Sequence, residues 1–511
     1  MDMEVSLQML LSLCSTGVFS LILYWYYLLW LKPQSIRRKL RQQGIVGPPP
    51  SFLFGNSKEI KRLQMTVNPP GAGHEIKHGY TPMVFPYFDK WRKDYGPVFC
   101  YSVCNVVALH LSQPDLVREI SLCSSLSLGK ASHQKKTHEP LFGQGILKSS
   151  GEVWARQRKI LAPEFFSDKV KGMVDLMVDS ASSLLASWEE KLKRSAEIEV
   201  EEELRCYSAD VISRTCFGSD YVRGKDIFLK LRELQENLSA SSILAEIFGL
   251  RFLPTKRARE AWRLNEEIKS LITKTVLARQ REGDGGEQKH QNLLQAILRS
   301  AGSDDVASSF VVDNCKNIYF AGHETTAVTA SWCLMLLALH PEWQARARTE
   351  AAELCGRRPL DSTSLHKMKI LTMVIQETLR LYPPGAFVAR ETLRDMDFGG
   401  IHIPKGVNIF IPVSTLHHDP TIWGSDVLEF KPERFSGGVL GACRLPHTYL
   451  PFGMGPRTCL GQHFAMVELK VVLSLLLVKF SFTLSPNYRH SPILRLIVVP
   501  EFGMQLLLKK A

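Results

Sequence analysis

From Val5 to Leu31 the chain carries no charged residue, and aromatic side chains gather toward the end of the run. An apolar segment of about 20 residues suffices to cross about 30 Å of hydrocarbon as a helix. Asp2 and Glu4 precede it, whereas Lys32, Arg37, Arg38, Lys39 and Arg41 follow. The cationic flank marks the cytosolic side. The run is long for a cleaved signal peptide and no small-residue cleavage site follows, so the pattern predicts a retained anchor. "GIVGPPPSFLFGN", Gly44 to Asn56, then sets three consecutive prolines that cannot continue a helix and that extend stiffly, a bracket between membrane and body. "PVFCYSVCNVVALHLS" alternates β-branched and apolar residues about a Cys104-Asn105 turn, the mark of a hairpin. Helical apolar spacing fills Trp154–Arg194, Glu201–Phe217, Gly224–Phe248 and Lys256–Arg281. The glycine-rich polar run Arg281–Gln291 predicts a surface loop. Ser308–His340, ended by Pro341, is apolar on nearly all sides and predicts a helix through the middle of the molecule. Short strand-like pieces return at Phe398–Ile411 and at the C-terminus. The expected fold is therefore mainly α with a smaller β region. Its divisions are an anchor over 1–31, a basic and proline-rich linker over 32–56, and the main folded domain over 57–511.

Composition adds little to this picture, at 45% hydrophobic and 22% charged residues. The net charge of +12 changes it more. A basic balance suits an anionic membrane surface, an acidic protein partner or nucleic acid. No interleaved basic and aromatic run tracks a nucleic-acid backbone, which argues against the last. The cysteines, 11 in all, are scattered without a framework, and Cys100 with Cys104 reads as a pair of buried thiols in a reducing compartment. Asn237-Leu238-Ser239 is a glycosylation sequon by pattern only, unused on the cytosolic side.

One cysteine stands apart. "PFGMGPRTCLG", Pro451 to Gly461, packs glycines, prolines and an arginine around Cys459, directly before the helical run "LGQHFAMVELKVVLSLLLVKF". Gly453, Gly455 and Gly461 permit a tight loop, and the helix N-terminus beyond it favours an anionic sulfur. A lone thiolate is too little for zinc, but it serves as the axial ligand of a haem, whose porphyrin supplies the other donors. The stretch resembles the haem-binding signature of the cytochrome P450 family, with Phe452, Gly453, Gly455, Arg457, Cys459 and Gly461 in register.

Three further motifs follow that family's order, and the roles below are what the resemblance implies. In "ETLR", Glu377 and Arg380 share a helix face, and with Arg434 of "KPERF" they form a buried charge network that supports the cysteine loop. "AGHETT" lies within the central helix as the oxygen-activation site. There Thr325 serves the oxygen, Glu324 relays protons through water, and the small pair Ala321-Gly322 lets a ligand approach the backbone. His323 is read as a supporting neighbour. "WARQR" sets Trp154 and Arg158 on one face, and these join Arg457 and Arg390 as contacts for the haem propionates. His417-His418-Asp419 is read as part of an ordered meander rather than as a metal site.

The resemblance implies a haem b monooxygenase that hydroxylates or otherwise oxidises an apolar substrate with O2. No nicotinamide or flavin fingerprint is present, so electrons are expected from a membrane-bound, NADPH-dependent flavoprotein reductase. Its acidic face would meet Arg156, Lys159 and Arg444. The implied location is the endoplasmic reticulum membrane, single-pass, with the catalytic domain cytosolic. "DKWRKDYGPVFCYS", "VIQETLRLYPP" and "YRHSPILRL" are most similar to a plant group that oxidises gibberellins, ent-kaurane precursors or pentacyclic triterpenoid acids. Leu141–Leu147, Leu238–Phe248, Ile318–Ala321 and Gly385–Val388 are the expected pocket walls, mostly apolar. Two alternatives are an oxygen-independent haem-thiolate isomerase or dehydratase, which typically lacks an acid–threonine pair, and a non-catalytic membrane-anchored haem-binding protein.

Overall fold

Helices carry most of the chain in the structure, a computed structural model that describes residues 2–67, 76–132, 138–218, 221–239, 255–283, 293–301, 309–355 and 360–511. The polar run 281–291 and the pocket stretch 238–248 fall largely outside these residues. The first helix does not stop where the apolar run ends. It continues from Asp2–Tyr26 through a π-helical turn, Tyr27–Leu31, into Lys32–Arg41, so the first ten residues of the basic segment are helical and continuous with the apolar run, which is long enough to cross a membrane. The physical reason lies at Arg37. Its guanidinium is buried and donates to the Pro48 carbonyl oxygen (2.7 Å) and the Ser102 hydroxyl (3.2 Å), tying the helix to the first hairpin. Phe52 packs against Tyr26 and Trp30, with ring centroids 6.3 and 5.3 Å apart, so the proline segment folds back onto the helix.

The hairpin forms as expected, Val98–Val103 against Val106–Leu111, with Cys104 in the turn at φ +52°. It opens a five-stranded sheet in the order Val98–Val103, Val106–Leu111, Asn408–Pro412, Phe387–Thr392, Leu128–Gly129. The Val106–Leu111 and Asn408–Pro412 strands run parallel. One apolar cluster centres on this sheet around Leu109, Ile409 and Trp423. A larger one surrounds the central helix.

That helix, Ser309–Leu339, spans 31 residues, about 46 Å at helical rise. It packs most closely on Val200–Ile212, which continues into a π-helical turn over Ser213–Phe217. Lys256–Gly283 matches its predicted range, and Tyr221–Ser239 begins ahead of Gly224. The stretch Trp154–Arg194 departs from one continuous helix. It is Gly151–Leu161, a 3-10 turn Ala162–Phe165, a short helix Ser167–Lys171, then Val174–Leu192. Pro163 lacks the amide that a continued helix needs, and apolar periodicity did not register it.

Candidate functional site

The loop before the last long helix is built from two positive-φ glycines and short backbone bonds. Gly453 (φ +69°) and Gly455 (φ +72°) lie in the left-handed region, which costs glycine nothing. A Cβ on Gly455 would meet the Ser121 carbonyl oxygen at 2.1 Å, so a neighbouring helix end presses against the loop. The Cys459 amide donates to the Phe452 carbonyl oxygen (2.8 Å) and closes the loop behind the thiol. The helix starts at Gln462, and the Gly461 amide is directed at the sulfur. Cys459 is accessible, although the surrounding protein is dense enough for burial to act on its thiol. Burial pushes its thiol up, against the pull of the Gly461 amide and Arg158. The Gly461 amide at the helix N-terminus acts in the direction expected from sequence, favouring the thiolate against burial.

Beside the thiol stands a group of cations. Arg457 stacks 4.0 Å from the Trp154 ring and donates to the Ser149 carbonyl oxygen (3.2 Å), leaving its Nη2 buried without a hydrogen bond. Arg158 donates to the Thr458 carbonyl oxygen (2.9 Å). Arg390 is 5% exposed, so it is no surface group, and burial lowers it to about 10. Arg457 is also lowered to about 10, by burial and then by Arg390 and Arg158. Sequence reasoning missed two members. Burial, then Arg390, Lys148 and Arg457, push the Lys130 ammonium well below its usual range, and burial lowers Lys148 to about 8. Among the described residues no carboxylate takes part in these shifts. Arg390 is buried and the other four cations are partly buried; such groups without acids suit an anionic group inserted among them. An accessible thiol, an orphaned guanidinium nitrogen and a Trp face together fit a haem with its propionates. No such signal marks Lys130 in "SLGKAS", because the fold alone brings it there.

Glu377 and Arg380 meet as a two-pronged pair, Nε to Oε2 and Nη2 to Oε1 each at 2.7 Å, both fully buried. Arg380 also donates to the His417 and Val427 carbonyl oxygens (3.0 and 2.6 Å). Arg434 lies 3.4 Å from Glu377 and makes its closer ion pair with Asp426, at 2.7 Å. The network reaches the cysteine loop through His417. The Leu450 amide donates to its Nε2 (2.9 Å), which leaves Nδ1 to donate to the Arg380 carbonyl oxygen (3.1 Å). Burial holds this ring neutral. No cluster of His, Cys, Asp and Glu among the described residues holds a metal, and Asp419 instead caps the helix Pro420–Trp423.

On the central helix, the Thr325 hydroxyl donates back to the Ala321 carbonyl oxygen (2.7 Å). From Val311 to Ala338 only Ala321, Gly322 and Thr325 escape full burial, and Ala321 and Thr325 share a face. Gly322 serves a different neighbour from the one expected. A Cβ there would meet Ile212 Cδ1 at 2.5 Å, so its smallness admits the Val200–Ile212 helix rather than a ligand. Glu324 points away from Thr325's face toward Arg205 Nε (3.3 Å) and His323 Nε2 (3.3 Å). Burial alone would raise its carboxyl; His323 and Arg205 overcome this and hold it below the usual range. Its carboxylate also lines a charged cleft of about 180 Å³, with Glu201, Glu202, Arg205, Arg232 and Glu501.

The wider chain agrees with the local geometry. A profile of the cytochrome P450 family matches residues 68–508. Cytochrome P450 714B3 of Zea mays is 56% identical over 99% of this chain and 97% of its own length. Cytochrome P450 714B2 of Oryza sativa subsp. japonica is 56% identical over 100% and 98%. Cytochrome P450 714A2 of Arabidopsis thaliana is 43% identical over 96% of each. Matched by the family profile over residues 68–508 and by these relatives along nearly its full length, the chain belongs to the cytochrome P450 family.

Proposed function

We propose that this P450 monooxygenase oxidises a rigid, apolar terpenoid, of the gibberellin, ent-kaurane or pentacyclic triterpenoid acid type, with electrons from an NADPH-dependent flavoprotein reductase. The observation that carries the site is the accessible Cys459 sulfur beside buried and partly buried cations that lack acids. In this reading Cys459 is the axial ligand of haem b, Phe452 flanks it, and Arg457, Arg390, Trp154, Arg158 and Lys130 hold the propionates. Guanidinium forks match carboxylates geometrically, and a stacked indole fixes the Arg457 plane. The bound haem supplies oxygen activation, with thiolate donation favouring O–O cleavage. Thr325 offers a hydroxyl at the one accessible face of the central helix. Glu324 takes up a proton at its carboxylate from water in the charged cleft and passes it inward, with Arg205 and His323 setting its readiness. Glu377, Arg380 and Arg434 keep the cysteine loop in place.

The substrate class rests on the resemblance of "VIQETLRLYPP" and its companion stretches, and on apolar walls. Phe142 meets Phe320 edge-on at 5.1 Å, which brings two of the expected pocket stretches together. Microsomes carrying the protein and a reductase, given diterpenoid and triterpenoid acids, test the reading by mass spectrometry. The expected result is an oxygenated product formed with NADPH and O2 consumption. Product without O2 would favour the isomerase alternative, and no turnover of any acid would refute the terpenoid class.

A further inference from the structure

Within Pro140–Ser149, most of it buried, turn bonds satisfy the amides of Leu141, Phe142, Gly143, Gly145, Lys148 and Ser149 and leave those of Gln144, Ile146 and Leu147. The central helix supplies the partners from side chains. Asp313 Oδ2 accepts from the Gln144 amide (2.8 Å), Asn314 Oδ1 from Ile146 (3.1 Å) and Asn317 Oδ1 from Leu147 (2.8 Å). Asn317 Nδ2 donates to the Phe142 carbonyl oxygen (2.7 Å), and Lys316 Nζ donates to that of Pro140 (3.2 Å). Asp313, Asn314, Lys316 and Asn317 are at most 6% exposed. Lys316 and Asp313 are paired at 3.0 Å, so neither charge is stranded. The fit is close enough to demand glycine. A Cβ on Gly143 (φ +51°) would meet Asp313 Oδ2 at 2.1 Å, and one on Gly145 would meet Asn317 Nδ2 at 2.5 Å.

The other end of the segment reaches the cysteine loop, where Arg457 donates to the Ser149 carbonyl oxygen (3.2 Å). Gln157 adds a brace, accepting from the Ser149 hydroxyl (2.8 Å) and donating to the Gln144 carbonyl oxygen (2.9 Å). The segment thus bridges the two elements that hold the proposed site, and it carries Leu141, Phe142, Ile146 and Leu147. Polar groups on a central helix amid an apolar core need a reason, and a bare apolar contact would have left the loop amides unpaired.

We propose that Asp313, Asn314, Lys316 and Asn317 are positioning residues that hold 140–149 as a pre-formed wall of the substrate cavity, so that the enzyme favours rigid polycyclic ligands over flexible chains. A wall already ordered before binding incurs no ordering cost, and its benefit is greatest for a ligand that also has none. A loosened wall adapts to either shape and loses that preference. The inference rests on the haem-site reading above, because that reading makes the bridged space the cavity.

The test uses full-length, haem-loaded protein in lipid nanodiscs, as wild type, Asn317→Ala, Asp313→Ala, Asn314→Ala and Asp313→Asn. Hydrogen exchange reports the wall. Two azole probes, one on a rigid polycyclic frame and one on a flexible alkyl chain, bind by iron coordination whatever the natural substrate, and the Soret shift gives both affinities. We expect the alanine variants to exchange the Gln144, Ile146 and Leu147 amides about tenfold faster and to lower the rigid-to-flexible affinity ratio about tenfold. Asp313→Asn keeps an acceptor for Gln144 but removes the charge partner of the buried Lys316, so the Gln144 amide should stay protected while the loss falls on the Pro140 end. Asn314→Ala, which removes one bond to the wall and one to the Phe310 carbonyl, remains informative if the others fold poorly. Unchanged exchange overturns the clamp, and faster exchange with an unchanged ratio overturns its role in selection. A carbon-monoxide spectrum without the thiolate band in wild type would instead overturn the haem-site reading.

Discussion

At Cys459, one atom decides the chemistry and its surroundings decide whether that atom is usable. Burial raises the free thiol while the Gly461 amide pulls it down, and the haem iron proposed above would favour the anionic form further. Cys459→Ala should abolish the carbon-monoxide-induced Soret shift, read on reduced protein. Thr325→Ala should retain that shift while diverting reducing equivalents to peroxide, read as NADPH consumed per product. The neighbouring cations make a third expectation. Lys148 is lowered to about 8 from 10.5 by burial, so between these pH values the unfolded chain binds more protons than the folded one. The haem-free protein should therefore gain stability as pH rises through that window, and chemical denaturation at several pH values reads it. Bound propionates, by favouring the charged ammonium, should flatten the slope. The cysteine motif was legible because all its parts are contiguous. Lys130 and Arg205 were not, since their partners Arg390 and Glu324 lie far along the chain and only folding joins them.

Elements show the same division. The central helix and the first hairpin could be read from periodicity, since each buries the pattern it displays. The break at Pro163 and the continuation of the first helix through Lys32–Arg41 could not, because a proline's missing amide and a buried Arg37 act outside the apolar period. The helix Lys369–Leu381 is pinned through Glu377 and Arg380 to the segment that carries Val427 and Glu429, and through His417 to the cysteine loop. Glu377→Ala leaves Arg380 with no carboxylate in a dry site, at a cost of about 3–5 kcal/mol. The expected outcome is a protein that accumulates poorly and binds little haem, measured as haem per chain and as loss of unfolding free energy. His417→Ala should be milder, losing the Leu450 bridge but no charge partner.

For the whole molecule, the +12 charge acquires a location. Arg156 and Lys159 are exposed on the helix whose buried face holds Trp154, and Arg444 is exposed shortly before the cysteine loop. Exposed cations on these two segments would suit the acidic electron donor proposed above, and such encounters weaken with salt because exposed charges are screened within about 8–10 Å. Reduction by the flavoprotein should slow as ionic strength rises, followed by stopped-flow absorbance. Arg156→Glu with Lys159→Glu should reduce the rate and much of its salt dependence, with the carbon-monoxide spectrum intact. Charge composition foreshadowed such cations, whereas their exposure required the fold.

Arg37 and Phe52 couple the anchor to the body, so the two cannot pivot freely about the proline segment. In a bilayer the protein would then ride at a constant tilt, like a buoy on a short rigid mast. A donor diffusing in the same sheet of lipid would meet these exposed cations at one height and one angle. Their search collapses from three dimensions to two, and fewer collisions are wasted.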